Sequence, residues 1–105
     1  VLSGSNAILS SEFDFVPQKH MIYSNYPNPF NPSTMLPLYL ASSSRVMYNV
    51  FDLQGRQIEQ KDFPFLKAGH HEFNLNMNQF SSGIYFYQIN IDDQEYLPKK
   101  MMLVK

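Results

Sequence analysis

Few residues in this chain have types and spacings that could do chemistry. His70 and His71 are the one adjacent pair of metal-type ligands. Neighbours on a strand point to opposite faces and cannot grip one ion, so both read as solvated strand residues. His20 stands alone in a segment read as linker and takes no role. The 9 carboxylates are dispersed, no Ser/His/Asp set lies in a context such as GxSxG, and Gly4, Gly55, Gly69 and Gly83 build no phosphate loop. Asp92 and Asp93 fall in a turn with too few oxygens for calcium, which takes roughly 6 to 8. With 0 cysteines, disulfides, thiolate zinc sites and thiol catalysis fall away together. The domain is therefore expected to be no enzyme and to carry no metal and no cofactor.

The elements that hold these residues must come from one core, since 105 residues, 44% hydrophobic and 16% charged, suit a single domain. The 8 basic residues are scattered except for Lys99 and Lys100. Without a basic stripe, nucleic acid is not an expected partner. No apolar run approaches the roughly 18 to 20 residues of a membrane span. The chain opens at Val1 without a start Met and reads as an excised part of a longer protein. Residues 1–19 suit a linker or the end of an upstream domain, with FDFVP at 13–17 as a candidate edge strand.

Apolar alternation at period 2 recurs between turn residues, and no sustained i, i+3, i+4, i+7 stripe is present. Strands are expected near 20–26, 34–40, 45–53, 56–63, 71–76, 83–91 and 94–104. That pattern gives an all-β chain, an immunoglobulin-like antiparallel β-sandwich of about seven strands. Val46, Tyr48 and Val50 make the apolar face of their strand, Gly55 serves the turn after it, and Asp92 and Asp93 turn the chain into a last hairpin. SSGIY at 81–85 reads as a tyrosine corner, in which the Tyr85 hydroxyl bonds back to upstream backbone. Tyr87 then faces the opposite sheet. The 7 Tyr and 9 Phe also admit a sugar-stacking surface, but with 0 Trp core use is favoured.

The stretch NYPNPFNPST at 25–34 is harder to derive from a fold alone. Pro27, Pro29 and Pro32 each fix φ and extend the residue before them, Asn25, Asn28 and Asn31 can cap exposed backbone groups, and Phe30 can plug the end of the core. The stretch resembles the signature that opens the type A C-terminal sorting domain of the type IX secretion system, found on exported proteins of Bacteroidetes and related bacteria. VMYNVFDLQGRQI at 46–58, AGHHEFNLNMNQFSSGIYFYQI at 68–89 and the PKKMMLVK ending resemble the rest of the family pattern in order. The resemblance covers about residues 20–105. Pro37 departs from it, which weakens the expected pairing of the second strand, and Gln88 stands where Arg is frequent.

The resemblance implies an address label. It implies passage through the periplasm to the outer-membrane surface or the medium, with the type IX translocon and a sortase-like peptidase as partners. It also marks Gly83, Tyr85, Lys100 and Lys105 as candidates for recognition. Strand addition to an exposed edge of the terminal hairpin would be a physical route, and the same edge could join two copies in a homodimer through the last strand. The alternative reading is a carbohydrate-binding or spacer sandwich in a surface enzyme.

Overall fold

Alternation decides which half of each strand is buried. In STMLPLYL the residues Thr34, Leu36, Leu38 and Leu40 are buried, while Ser33, Met35, Pro37 and Tyr39 face outward. The computed structural model describes residues 19–105, so the expected strand at 13–17 and nearly all of the linker at 1–19 lie outside the described residues. Eight strands follow in order: β1 (Met21–Ile22), β2 (Ser33–Leu40), β3 (Ser44–Phe51), β4 (Gln57–Leu66), β5 (Gly69–Asn76), β6 (Gly83–Ile91), β7 (Gln94–Glu95) and β8 (Lys99–Leu103).

They form two antiparallel sheets. One is β1-β2-β5; the other is β4-β3-β6, with β7 and β8 both on the far edge of β6. Leu36, Leu38, Leu40, Phe73 and Leu75 meet Val46, Tyr48, Val50, Tyr87, Ile89, Met101 and Leu103 between the sheets, all buried. Each large side chain removed from water this way contributes roughly 1.5 to 3 kcal/mol. At the β4 and β5 side the core closes with Phe63 stacked on Phe73, centroids 4.4 Å apart and rings 9° from parallel. The aromatics Phe30, Tyr48, Phe73, Tyr85 and Tyr87 are thus core residues.

The sandwich agrees with the sequence expectation, with differences at its margins. The last strand, expected as one run over 94–104, is two: the Tyr96 N–H still donates to the Ile89 carbonyl at 3.0 Å, and the ladder then lapses at Leu97–Pro98, where Pro98 has no N–H to give. The first strand shrinks from 20–26 to Met21–Ile22, followed by an isolated bridge between Tyr26 and Met35. β4 runs further than expected and carries register shifts opposite Ser44/Val46 and Val50/Phe51. Asp92 and Asp93 take φ of 49° and 68°, the geometry of a two-residue hairpin turn. Gly55 takes φ 84° in the turn after β3.

Pro37 does not disturb pairing. β2 is paired with β5 along its whole length and with β1 at Leu38 and Tyr39. The Tyr23 N–H donates to the Pro37 carbonyl at 3.1 Å, so the backbone groups of Pro37 point toward the β1 side. Its missing N–H is therefore lost there and not from the β2·β5 ladder. The Tyr23 carbonyl would be left without that donor. Instead the Tyr87 hydroxyl crosses the core and donates to it at 3.1 Å.

His70 and His71 do not form a joint site. His70 packs on Tyr39 with centroids 4.9 Å apart, and a His71 ring nitrogen lies 2.7 Å from the Lys67 carbonyl. Among the described residues no group of three metal-type ligands converges. His20, given no role from sequence, has a structural one: its Nδ1 accepts the Ala41 N–H at 3.0 Å and ties the start of β1 to the end of β2.

Burial pushes the Tyr48 hydroxyl up to about 12, with the charge of Glu59 and a hydrogen bond to it adding in the same direction. Burial also pushes Tyr87 up to about 12, partly offset by a backbone hydrogen bond from Asn25. The unfolded phenols ionise near 10 while the folded ones resist. Their stabilising effect is therefore complete below pH 10 and is lost as pH rises from about 10 to about 12. Tyrosine absorbance and circular dichroism followed together through this window should show ionisation of these two groups coinciding with unfolding. Ionisation of every tyrosine near 10 with the fold intact would contradict this.

Candidate functional site

The proline loop is built inward before it is built outward. Asn25 is buried, and its Nδ2 donates to Thr34 Oγ1 at 3.1 Å and, at 3.4 Å, to the Pro27 carbonyl. The Thr34 hydroxyl donates to the same carbonyl at 2.9 Å. The Tyr26–Pro27, Asn28–Pro29 and Asn31–Pro32 peptide bonds are cis. Phe30 is 2% exposed and fills the core end, as its position in the loop predicted. Asn31 is exposed and makes no side-chain hydrogen bond among the described residues, so only Asn25 and Asn28 cap backbone as expected.

Asn28 carries the less expected bond. Its Oδ1 accepts the Met102 N–H at 3.0 Å and its Nδ2 donates to the Lys100 carbonyl at 3.5 Å. One residue pair further, Phe30 N–H donates to the Met102 carbonyl and Val104 N–H to the Phe30 carbonyl, both at 2.9 Å. A side-chain amide and a short parallel bridge thus pair the outer edge of β8 from Lys100 to Val104. This corrects the sequence expectation of an exposed edge on the terminal hairpin. Strand addition there, by a partner or by a second copy through the last strand, would first have to displace the proline loop.

The four recognition candidates separate into two groups. Gly83, Tyr85 and Lys105 gather on the loop that precedes β6. The Tyr85 hydroxyl donates to the Ser81 carbonyl at 2.7 Å, which is the expected tyrosine corner. Lys105 Nζ donates to the Asn78 carbonyl at 2.5 Å and the Phe80 carbonyl at 3.1 Å, while its N–H donates to Ser82 Oγ at 3.0 Å. Gly83 takes φ 157° between them, a backbone state that L side chains seldom adopt. All three serve the fold of their own loop.

Lys100 stands apart. Opposite Phe86 in the ladder, it lies on the outer face of the five-stranded sheet and is exposed. The ion pairs among the described residues are Arg45–Asp62 and Arg56–Asp52, so Lys100 has no carboxylate partner. It borders an open depression of about 200 Å³ lined by Asn28, Pro29, Ile84 and Met102. Ile84 and Phe86 face the same side as Met102, which is 39% exposed. The result is a cation set on an apolar surface, a combination that the linear sequence did not announce because these residues lie on separate strands.

The turn at the same end is stiff. Asp52 Oδ1 accepts the N–H groups of Gln54 at 3.0 Å and Arg56 at 2.9 Å, and Oδ2 accepts from Arg56 Nε at 2.7 Å. The Arg56 backbone N–H first, and the guanidinium beside it, hold the Asp52 carboxyl below the usual carboxylate range. Between this turn and the 79–83 loop lies an open cleft of about 450 Å³ that includes Arg56, Phe80, Ser82 and Ile84. Nothing in it sets a nucleophile beside a base.

No curated protein matches the chain in sequence. The fold is shared with dimeric latent PorU from Porphyromonas gingivalis, at a TM-score of 0.65 and 17% identity over 85% of this chain and 10% of that one. It is also shared with the alkylpurine DNA glycosylase AlkC from Pseudomonas fluorescens bound to DNA containing an abasic site analog, at 0.54 and 14% over 92% of this chain and 33% of that one. This chain therefore spans about a tenth and about a third of the proteins it resembles, and at such identities the likeness is one of fold alone. In sequence, residues 24–104, from the proline loop through β8, match the secretion system C-terminal sorting domain, and the chain belongs to that family of type IX sorting signals.

Proposed function

We propose that this domain directs an attached cargo across the periplasm to the outer-membrane translocon through the outer face of its five-stranded sheet, with Lys100 as the contact that the translocon reads. The family match over residues 24–104 supports the sorting role, and the unpaired Lys100 beside Ile84, Phe86 and Met102 is the observation that supports this surface. A charge whose ammonium is not engaged within the fold can meet a carboxylate on a partner at little structural cost, whereas moving Lys105 or Tyr85 would first undo the loop they hold. A sortase-like peptidase is the processing partner, residues 1–19 link the domain to its cargo, and the cargo ends at the cell surface or in the medium. The domain itself supplies binding and no catalysis.

The test fuses the whole chain behind a periplasm-directed fluorescent protein in a bacterium with a working type IX system and in the same strain without its translocon. Export is expected only in the first. Lys100→Glu should lower export about tenfold or more, as expected for reversing one charge at an interface, and leave the melting temperature nearly unchanged. Lys105→Ala should instead lower the melting temperature. Full export of the Lys100→Glu fusion would remove this surface from the mechanism, and equal export without the translocon would remove the sorting role.

A further inference from the structure

Each sheet edge of a sandwich is a row of unpaired backbone groups that must be blunted or used. The edges here are not treated alike. The proline loop covers β8 through Asn28 and Phe30. Register shifts break the regularity of β4, which also carries Pro64 and the charges Glu59, Lys61 and Asp62. β1 is 2 residues long. β5 is the least defended: it runs 8 residues from Gly69 to Asn76 without proline, register shift or covering loop, and Glu72 is its one formal charge.

Which of its groups are open follows from the ladder. Met77 N–H donates to the Pro32 carbonyl, and Met35 and Pro37 bond toward Tyr26 and Tyr23 on the opposite side of β2. In an antiparallel ladder the inward and outward directions alternate, so His71, Phe73 and Leu75 pair with β2. The N–H and C=O groups of His70, Glu72, Asn74 and Asn76 then point away from the sheet, and they have no backbone partner among the described residues.

We infer that this edge of β5 pairs antiparallel with β5 of a second copy about a two-fold axis at Phe73, joining two three-stranded sheets into one. The edge is self-complementary in that register. Every outward group is used, with His70 of one copy opposite Asn76 of the other and Glu72 opposite Asn74, so no like charges face each other. Shifting the axis to Glu72 would set two carboxylates face to face and leave Asn76 unpaired. On the core side the two Phe73 rings meet, each already stacked on Phe63. β8 and Lys100 lie on the opposite margin of the other sheet, so the pairing leaves the sorting surface open.

The chain has 0 cysteines, which makes the test direct. Chains carrying Glu72→Cys and chains carrying Asn74→Cys are mixed under mild oxidation. Residues in a hydrogen-bonded pair sit roughly 5.5 Å apart at Cα, within disulfide range, so the mixture should give a crosslinked heterodimer in excess over either variant alone. Sedimentation velocity of the full chain at rising concentration should show a dimer. Asn74→Pro removes an N–H without a partner in its own chain, so it should keep the fold while weakening association about tenfold or more. A monomer at all concentrations, or a dimer indifferent to Asn74→Pro in a folded variant, would overturn the inference. So would a monomer whose export is lost in Asn74→Pro, because the edge would then serve a strand of another protein.

Discussion

A chain cut after Lys100 is expected to be unfolded at growth temperature. Met101 and Leu103, at 0% and 1% exposure, leave the core with the deleted segment. Loss of a fully buried Met or Leu costs about 2 to 5 kcal/mol each. The same cut frees the β6 backbone from Gly83 to Tyr85 and leaves the Phe30 N–H and C=O without their partners on Met102 and Val104. Together these two losses come to about 4 to 10 kcal/mol, and with the broken backbone pairs added they use up most or all of the roughly 5 to 15 kcal/mol that holds a small domain folded. Circular dichroism and urea titration of the truncated chain would check it. A cooperative transition within about 1 kcal/mol of the full chain would refute the account. Failed export of a truncated cargo therefore does not distinguish a lost signal from a lost fold, and the Lys100→Glu comparison does.

Phe30→Ala should be the most damaging single substitution in the proline loop, costing about 3 to 5 kcal/mol. Phe30 is among the largest fully buried side chains, and it joins two functions: its ring closes the end of the core and its backbone pairs the edge of β8. The cavity left by Ala would loosen both. Amide exchange gives a signature that ordinary core truncation lacks, because the N–H groups of Met102 and Val104 should lose protection ahead of those in β3. A loss below about 1 kcal/mol with those amides still protected would mean that the loop is held by Asn25 and Thr34 alone.

How far the sequence spoke depends on the distance over which each bond acts. Local alternation placed β2, β3, β5 and β6 within a few residues, and Gly55, Asp92 and Asp93 marked their turns, because those signals are read over two to five neighbours. The tyrosine corner was legible for the same reason, since Tyr85 reaches only as far as Ser81. The break at Leu97–Pro98 was marked in the sequence by Pro98, but the residues on either side were read as one run over 94–104. The bonds that close the β8 edge were beyond local reading: Asn28 and Met102 are 74 residues apart, and the asparagine that reads as a loop cap acts as a strand partner. The rescue of Pro37 was hidden likewise, since Tyr23 and Tyr87 lie 64 residues apart. Of the candidate site, resemblance supplied the residues. Geometry separated Lys100 from the three that hold their own loop.

The stitch between Asn28, Phe30 and the segment Met102–Val104 also sets a condition on time. A growing chain presents the proline loop roughly seventy residues before the strand it must meet, and contacts so far apart in sequence form late. No fragment that stops short of β8 can close the sandwich. Folding of the label thus certifies that translation has run through to its far side, and a prematurely terminated cargo carries no legible address.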